Sequence, residues 1–279
     1  MSGFSPDWLA LREPADVRAR DPGLLAALAQ HLAARDTLEI VDLGCGTGSN
    51  LRAAAAALGA GQRWTLVDYD PELLVAARAT LLKWADAVAA DGETLMLTKD
   101  GVDIAVSFRH ADLMQDVETV LGGRPDVVTA SALFDLCSGD FIARVARAVA
   151  SQGAAFYTVL TYDGAQGWTP PHRADAEMTA AFNAHQQIDK GFGSAAGPTA
   201  PAALALAFRE NGYRVMEAST PWRLDGGEQA LVDALADGFA GAVAEIAHVA
   251  PDTIADWLQV RRTGCLVGHT DTLALPPAR

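Results

Sequence analysis

The stretch Leu38-Glu39-Ile40-Val41-Asp42-Leu43-Gly44-Cys45-Gly46-Thr47-Gly48-Ser49-Asn50 sets an acid two residues ahead of three glycines spaced by one. It reads as a buried strand running into a glycine-rich turn, with a helix starting beyond it. Glycine has no Cβ and accepts positive φ, so a ligand can approach such a backbone closely. A dinucleotide turn carries the spacing G-x-G-x-x-G, which seats a pyrophosphate on the helix N-terminus. Here the third glycine comes one residue early, at Gly48, and Ser49 stands where that pattern needs glycine. The Asp42 carboxylate would repel a pyrophosphate and suits a ligand with an amino group or a sulfonium. It also suits capping of the turn's own amides.

More acids follow at strand ends. Arg63-Trp64-Thr65-Leu66-Val67-Asp68 is a second strand, and Pro71 stands in the first turn of the helix after it. An acid that ends an apolar strand at a ligand-binding edge needs a partner, and a carboxylate accepts both hydroxyls of a cis-diol through charge-assisted bonds. A third strand, 104–110, leads to Ala111-Asp112-Leu113, where Asp112 is also a natural helix N-cap. A fourth runs from Pro125 through Leu133. Just beyond it Asp135 is a candidate general base or a binder of a substrate amine, with a helix-start acid as the alternative. His172 and His185 are candidate bases near neutral pH, with packing or surface roles as the alternative.

Tyr162, Trp168, Phe192 and Trp222 suit the walls of a pocket and equally a core. Residues 190–198 read as a flexible loop in which Lys190 is the anion handle. No His, Cys and Asp cluster has metal-ligand spacing, so no metal is expected.

The elements that position these residues alternate. Helices are expected over 14–20, 22–35 and 71–90, and strands over 93–98 and 102–110 form a hairpin around Asp100-Gly101. Further on, helix to residue 150, strand 153–161, helices near Phe182 and over 201–212, strand 213–220, helices 228–249 and 251–262 and strand 265–270 complete the series. Strands alternating with helices imply a mostly parallel sheet covered on both faces.

The series Asp42-x-Gly44-x-Gly46-x-Gly48, then Asp68, Asp112 and the strand after Pro125, resembles the class I S-adenosylmethionine-dependent methyltransferases. The motifs cover about 37–150, and the rest matches by element order alone. The resemblance implies an α/β, Rossmann-like fold: a seven-stranded, mostly parallel sheet with helices on both faces, an antiparallel last strand and extra helices forming a substrate cap. It implies S-adenosylmethionine as cofactor, cradled by Gly44, Cys45, Gly46, Gly48 and Asn50, with Asp42 at the methionine amino group and Asp68 at the ribose hydroxyls. Tyr69 would flank the adenine, with an exposed aromatic on a helix cap as the alternative, and Asp112 and Leu113 would meet its amino group. Ser131 would lie beside the methyl donor. In that family an N-terminal helix often folds over the cofactor, which gives Arg12 or Arg20 a route to the methionine carboxylate; a solvated helix face is the alternative. The implied layout is a helical lid over 1–36, a cofactor-binding core over 37–161 and the rest of the sheet with substrate-binding insertions over 162–279, in one compact unit.

With 279 residues, half of them hydrophobic, the chain buries a sizeable core. A formal charge of −14 and no basic stripe argue against nucleic acid as partner. The strand-four end, Thr129-Ala130-Ser131-Ala132-Leu133-Phe134, also lacks the Asn/Asp-Pro-Pro-aromatic signature of nucleobase amine methylation. Three scattered cysteines, a first segment without a leader pattern and apolar tracts too short to span a bilayer make a cytoplasmic protein the expectation. The function expected is methyl transfer to a small-molecule acceptor by in-line displacement. A non-catalytic binder or regulator of the same fold and a nicotinamide-dependent oxidoreductase are the alternatives. The sequence sets no oligomeric state.

Overall fold

The computed structural model describes residues 4–59 and 61–277. The expectations that fall on residues 1–3, 60, 278 and 279 lie outside the described residues.

Five parallel strands form the centre: β5 (Val102–His110), β2 (Gln62–Asp68), β1 (Leu38–Leu43), β6 (Val127–Ser131) and β7 (Ala155–Thr169), in that spatial order. Beyond β7 lie β10 (Gly264–Leu275), antiparallel to both its neighbours, and β8 (Arg214–Ser219). These are the seven strands expected, with the antiparallel last strand. Three more are added: β3 (Ala87–Asp91) and β4 (Thr94–Lys99) extend the β5 edge, and β9 (Trp222–Leu224) pairs with β10.

The strands at the middle of the sheet, β1 and β6, carry buried residues on both faces, as a doubly covered parallel sheet requires, while β5 shows Asp103, Ser107 and Arg109 on one face. In β1, Leu38 and Ile40 enter one core and Val41 and Leu43 the other. Asp42 therefore points to the Ile40 face, which α2 (Pro22–Leu32) and α4 (Pro71–Trp84) cover, while α5 (Leu113–Leu121), α6 (Gly139–Gln152) and α8 (Ala200–Glu210) cover the other.

Two boundaries differ from expectation for physical reasons. The first helix, α1, spans Pro6–Ala19 with Pro14 inside it, instead of starting at Pro14. Ser5 caps it through the Trp8 amide, and burial of Arg12, Ala15 and Asp16 holds the turns around the proline. The helix after β2 stops at Trp84, because Asp86 is drawn into the next hairpin. Its amide donates to the Thr98 carbonyl and its carboxylate accepts from Lys99 and the Asp100 amide.

Strand β7 runs eight residues past the expected 161, to Thr169. Register slips against β10 between Thr270 and Thr272 and between Val267 and His269 mark two bulges. At the first, Leu160 adopts φ 58° while its amide donates to Asp271 Oδ1 at 2.8 Å. At the second, a Cβ on Gly268 would collide with the Asp163 carboxylate, so only glycine fits. Bulges re-aim side chains. These turn Leu160, Tyr162, Gln166, Trp168, Val267 and His269 toward one cavity.

Fully buried Asp271 also accepts from Thr220 Oγ1 and the Asp21 amide, tying β7, β10 and the start of α2 together. Asp271→Ala strips three donors of their acceptor and is expected to cost about 3 kcal/mol of stability. A urea transition would read this as a lower midpoint at constant slope. An unmoved midpoint would remove the residue from that role.

Candidate functional site

A single cavity of about 1050 Å³ opens at the carboxyl ends of β1, β2 and β6 and continues under α1 toward α7 (Asp175–His185) and α9 (Gln229–Glu245). One-ligand pockets usually hold about 300–1,000 Å³, so this one has room for two molecules side by side.

Its floor is the glycine turn. Gly44, Gly46 and Gly48 have φ of 62°, 53° and 76°. A Cβ at Gly44 would stand 3.2 Å from Leu133 Cδ1, and one at Gly46 3.1 Å from Leu9 Cδ1, so side chains there would crowd the cavity wall. The turn is pinned to the next strand: Cys45 N donates to Val67 O at 2.9 Å, and Gly46 N to Asp68 Oδ2 at 2.8 Å. Asp68 Oδ1 accepts from Asp70 N at 3.0 Å. The Tyr69 amide also faces this carboxylate, and the lone-pair capacity that the three amides leave is open to a ligand. Burial raises its pKa, against the amide bonds that lower it.

Asp42 is 1 % exposed. Its Oδ1 accepts from Asn50 Nδ2 at 2.9 Å, which Thr129 Oγ1 shares at 2.8 Å, and Arg20 Nη1 donates to Asn50 Oδ1 at 2.6 Å. Asp42 Oδ2 has no partner. Desolvation lifts the Asp42 pKa to about 7, opposed by Asn50 and by the Arg20 charge. A buried carboxylate oxygen left open on a ligand cavity calls for a cationic hydrogen-bond donor.

Of the turn residues, Gly44, Cys45, Gly46 and Asn50 line the cavity. Gly48 supplies the left-handed cap of α3 (Ser49–Ala54) and faces Leu66 and Ala77 instead. Arg20 is neither on the cavity wall nor on a solvated face; it stands behind Asn50 and balances Asp42. Arg12 does reach the wall, paired with Asp16 at 2.9 Å. Asp112 lines the cavity beside Leu113, with both oxygens occupied, by the Met114 amide and by Gln115 Nε2. Tyr69 forms the rim at 58 % exposure, and Ser131 closes the far side of the turn.

The other half of the cavity is aromatic. Trp168, Phe182 and Phe239 pack together, the two phenylalanines stacked at 4.6 Å, and Trp222 and Phe192 complete the walls. Asp135 enters from the one-turn helix Phe134–Leu136 after β6. Its Oδ1 has no partner, and burial raises its pKa to about 6 against the lowering influence of its own amide, of Arg12 and of the Tyr162 amide. The Tyr162 hydroxyl is spent: it donates to Asn183 Oδ1 at 2.7 Å and accepts from Gln166 Nε2 at 3.0 Å.

The structure does not bring His172 or His185 to this cavity. His172 Nδ1 accepts from the Ala174 amide, and its Nε2 lies 3.3 Å from Asp256. His185 is held between Glu245, at 2.8 Å, and Lys190, at 3.5 Å. The histidine on the wall is His269, which sequence reasoning passed over together with Gln166 and Asp16. A polar residue in the apolar strand Cys265-Leu266-Val267-Gly268-His269 was the available signal, since a buried imidazole needs a reason to be there.

Among the described residues, no group of three His, Cys, Asp or Glu is placed to hold a metal ion, and no helix is long and apolar enough to cross a membrane.

Residues 40–123 match the family model of a methyltransferase domain. The sequence matches none of the curated proteins. The solved structure of the YcgJ protein from Bacillus subtilis is similar in fold, with a TM-score of 0.53 at 12% identity over 93% of this chain and 100% of that one. The cyclopropane synthase MmaA2 from Mycobacterium tuberculosis gives 0.52 at 13% identity over 97% and 94% of the two chains. A cyclopropane-fatty-acyl-phospholipid synthase-like protein from Lactobacillus casei gives 0.51 at 14% identity over 98% and 95%.

Proposed function

We propose, from a chain with a methyltransferase domain on the Rossmann-like fold of the class I S-adenosylmethionine-dependent methyltransferases, that it methylates a small molecule held in the aromatic half of its cavity. The observation that carries this reading is the unpartnered, buried Asp42 Oδ2 at a glycine turn whose neighbouring strands end in Asp68 and Asp112 on one cavity.

The residues present fit the cofactor. Asp42 Oδ2 would take the methionine ammonium, and the free lone pairs of Asp68 the ribose hydroxyls. Gly44 and Gly46 let the ligand lie on bare backbone. Leu113 offers an apolar side to the adenine, and Tyr69 its rim. The Asp112 side chain, already capping α5, serves the adenine only by a further lone pair. When bound, S-adenosylmethionine supplies a methyl group activated by its sulfonium charge.

The chain then has to align the acceptor, exclude water and remove a proton. Asp135 Oδ1 suits the last task, being unpartnered, on the cavity wall and, with a pKa of about 6, mostly ionised at neutral pH. In this layout α1 and α2 act as a lid, with Trp8, Leu9 and Arg12 facing inward. A concave cavity with aromatic walls and a net negative chain favour a small acceptor over a nucleic acid.

Two measurements test this reading. Methyl-labelled S-adenosylmethionine incubated with the protein and metabolite extracts should yield a labelled small product. A persistent blank beside intact cofactor binding would make the chain a non-catalytic binder. A cationic ammonium against Asp42 must also lower its pKa from about 7, so cofactor binding near that pH releases protons. Calorimetry in buffers of different ionisation enthalpy should register the release, and Asp42→Asn should abolish it. Equal release from the variant would place the ammonium elsewhere.

A further inference from the structure

His269 on β10 stands directly across from Tyr162 on β7, which puts both side chains on the same face of the sheet, over the cavity. Its ring is 5 % exposed, sits edge-on to Trp222 at 5.0 Å, and has no partner at Nδ1. The Thr220 backbone lies against the ring, and the neutral tautomer with its hydrogen on Nε2 offers Nδ1 as an acceptor.

Two more unpartnered atoms lie against the same Tyr162. Gln166 Oε1 is one; its amide is oriented by the bond from Nε2 to the Tyr162 hydroxyl. Asp135 Oδ1 is the other; its carboxylate lies beside Tyr162. Most neighbouring donors are engaged, and one, Trp168 Nε1, is unpartnered on the same wall. The Tyr162 hydroxyl serves Asn183, and Arg12 Nε and Nη2, with Trp222 Nε1, serve Asp16. The wall thus presents three unpartnered acceptors and one unpartnered donor, Trp168 Nε1, framed by the rings of Trp168, Phe182, Phe239 and Trp222. Buried polar atoms are normally paired, so a ligand that fits this wall brings the hydrogens.

We propose that His269, Gln166 and Asp135 form a recognition wall for an aromatic compound bearing a hydroxyl or amino group, with His269 Nδ1 accepting a hydrogen from that group. The assignment rests on the methyltransferase reading of the cavity and adds the acceptor's class to it.

The test is binding in the absence of any transferable methyl group. The full-length protein, saturated with S-adenosylhomocysteine, is titrated with three matched pairs: 2-naphthol and 2-methoxynaphthalene, 5-hydroxyindole and 5-methoxyindole, 8-hydroxyquinoline and 8-methoxyquinoline. At least one hydroxyl compound should bind about tenfold more tightly than its ether, the scale of one buried hydrogen bond. His269→Phe, which keeps the ring volume, should erase that preference. His269→Asn, which keeps an acceptor at the δ position, should retain part of it. Both variants should still bind S-adenosylhomocysteine, which reports that they fold. Equal binding within every pair, no binding of any pair, or a preference untouched in His269→Phe would overturn the proposal. Failure of the parent protein to bind S-adenosylhomocysteine would instead defeat the methyltransferase reading beneath it.

Discussion

Asp135→Asn is expected to lower kcat by about 10²–10⁴-fold, the usual weight of a general base, while S-adenosylmethionine binds as before. The asparagine keeps the size but has no basicity at the unpartnered Oδ1. The pH profile gives a second signature. Burial raises the Asp135 pKa to about 6, and a base works only when deprotonated, so kcat/KM should fall as pH drops through about 6. The groups facing it are Arg12 and, across Tyr162, His269. His269 is held neutral over this range, because burial depresses its pKa to about 3. With S-adenosylmethionine saturating, so that its ammonium keeps Asp42 ionised, the acidic limb of the acceptor's kcat/KM is assigned to Asp135 and should vanish in Asp135→Asn. A variant with unchanged kcat would leave Asp135 as a binding group only.

Asp68→Ala should weaken S-adenosylmethionine binding by roughly 2–4 kcal/mol, through two charge-assisted bonds to a diol. Because the same carboxylate accepts from the Gly46 and Asp70 amides, the alanine also unpins the glycine turn from β2. Asp68→Asn separates the two effects: its one oxygen keeps a single amide acceptor, and it has no charge to offer the diol. Calorimetry on folded protein should rank wild type above Asp68→Asn and Asp68→Ala. An unchanged dissociation constant in Asp68→Ala would remove Asp68 from the site.

The sequence made legible what local chemistry controls. The turn glycines, the caps at Ser138 and Asp112, the Asp100-Gly101 hairpin and the buried strands all announce themselves by residue type and spacing, and the sheet follows from their order. What escaped depends on long-range packing. Nothing near Leu160 signals a left-handed residue, since the Asp271 side chain that holds it lies 111 positions away. Without that bulge and the one at Gly268, the inward aim of Gln166, Trp168 and His269 is unreadable. His172 and His185 carry the right chemistry by type, yet Asp256 and Glu245 engage them away from the cavity. Arg20 matched a family position and lies behind Asn50 instead, because the buried Asp42 demands a countercharge there.

The central claim is that the glycine turn and the acids around it form an S-adenosylmethionine site. Calorimetric titration of the purified protein with S-adenosylmethionine and, separately, with NADH tests it most directly. The account predicts one molecule of S-adenosylmethionine bound per chain, with no heat from NADH. Binding of NADH without S-adenosylmethionine would contradict it, because Asp42 stands where a pyrophosphate would have to lie.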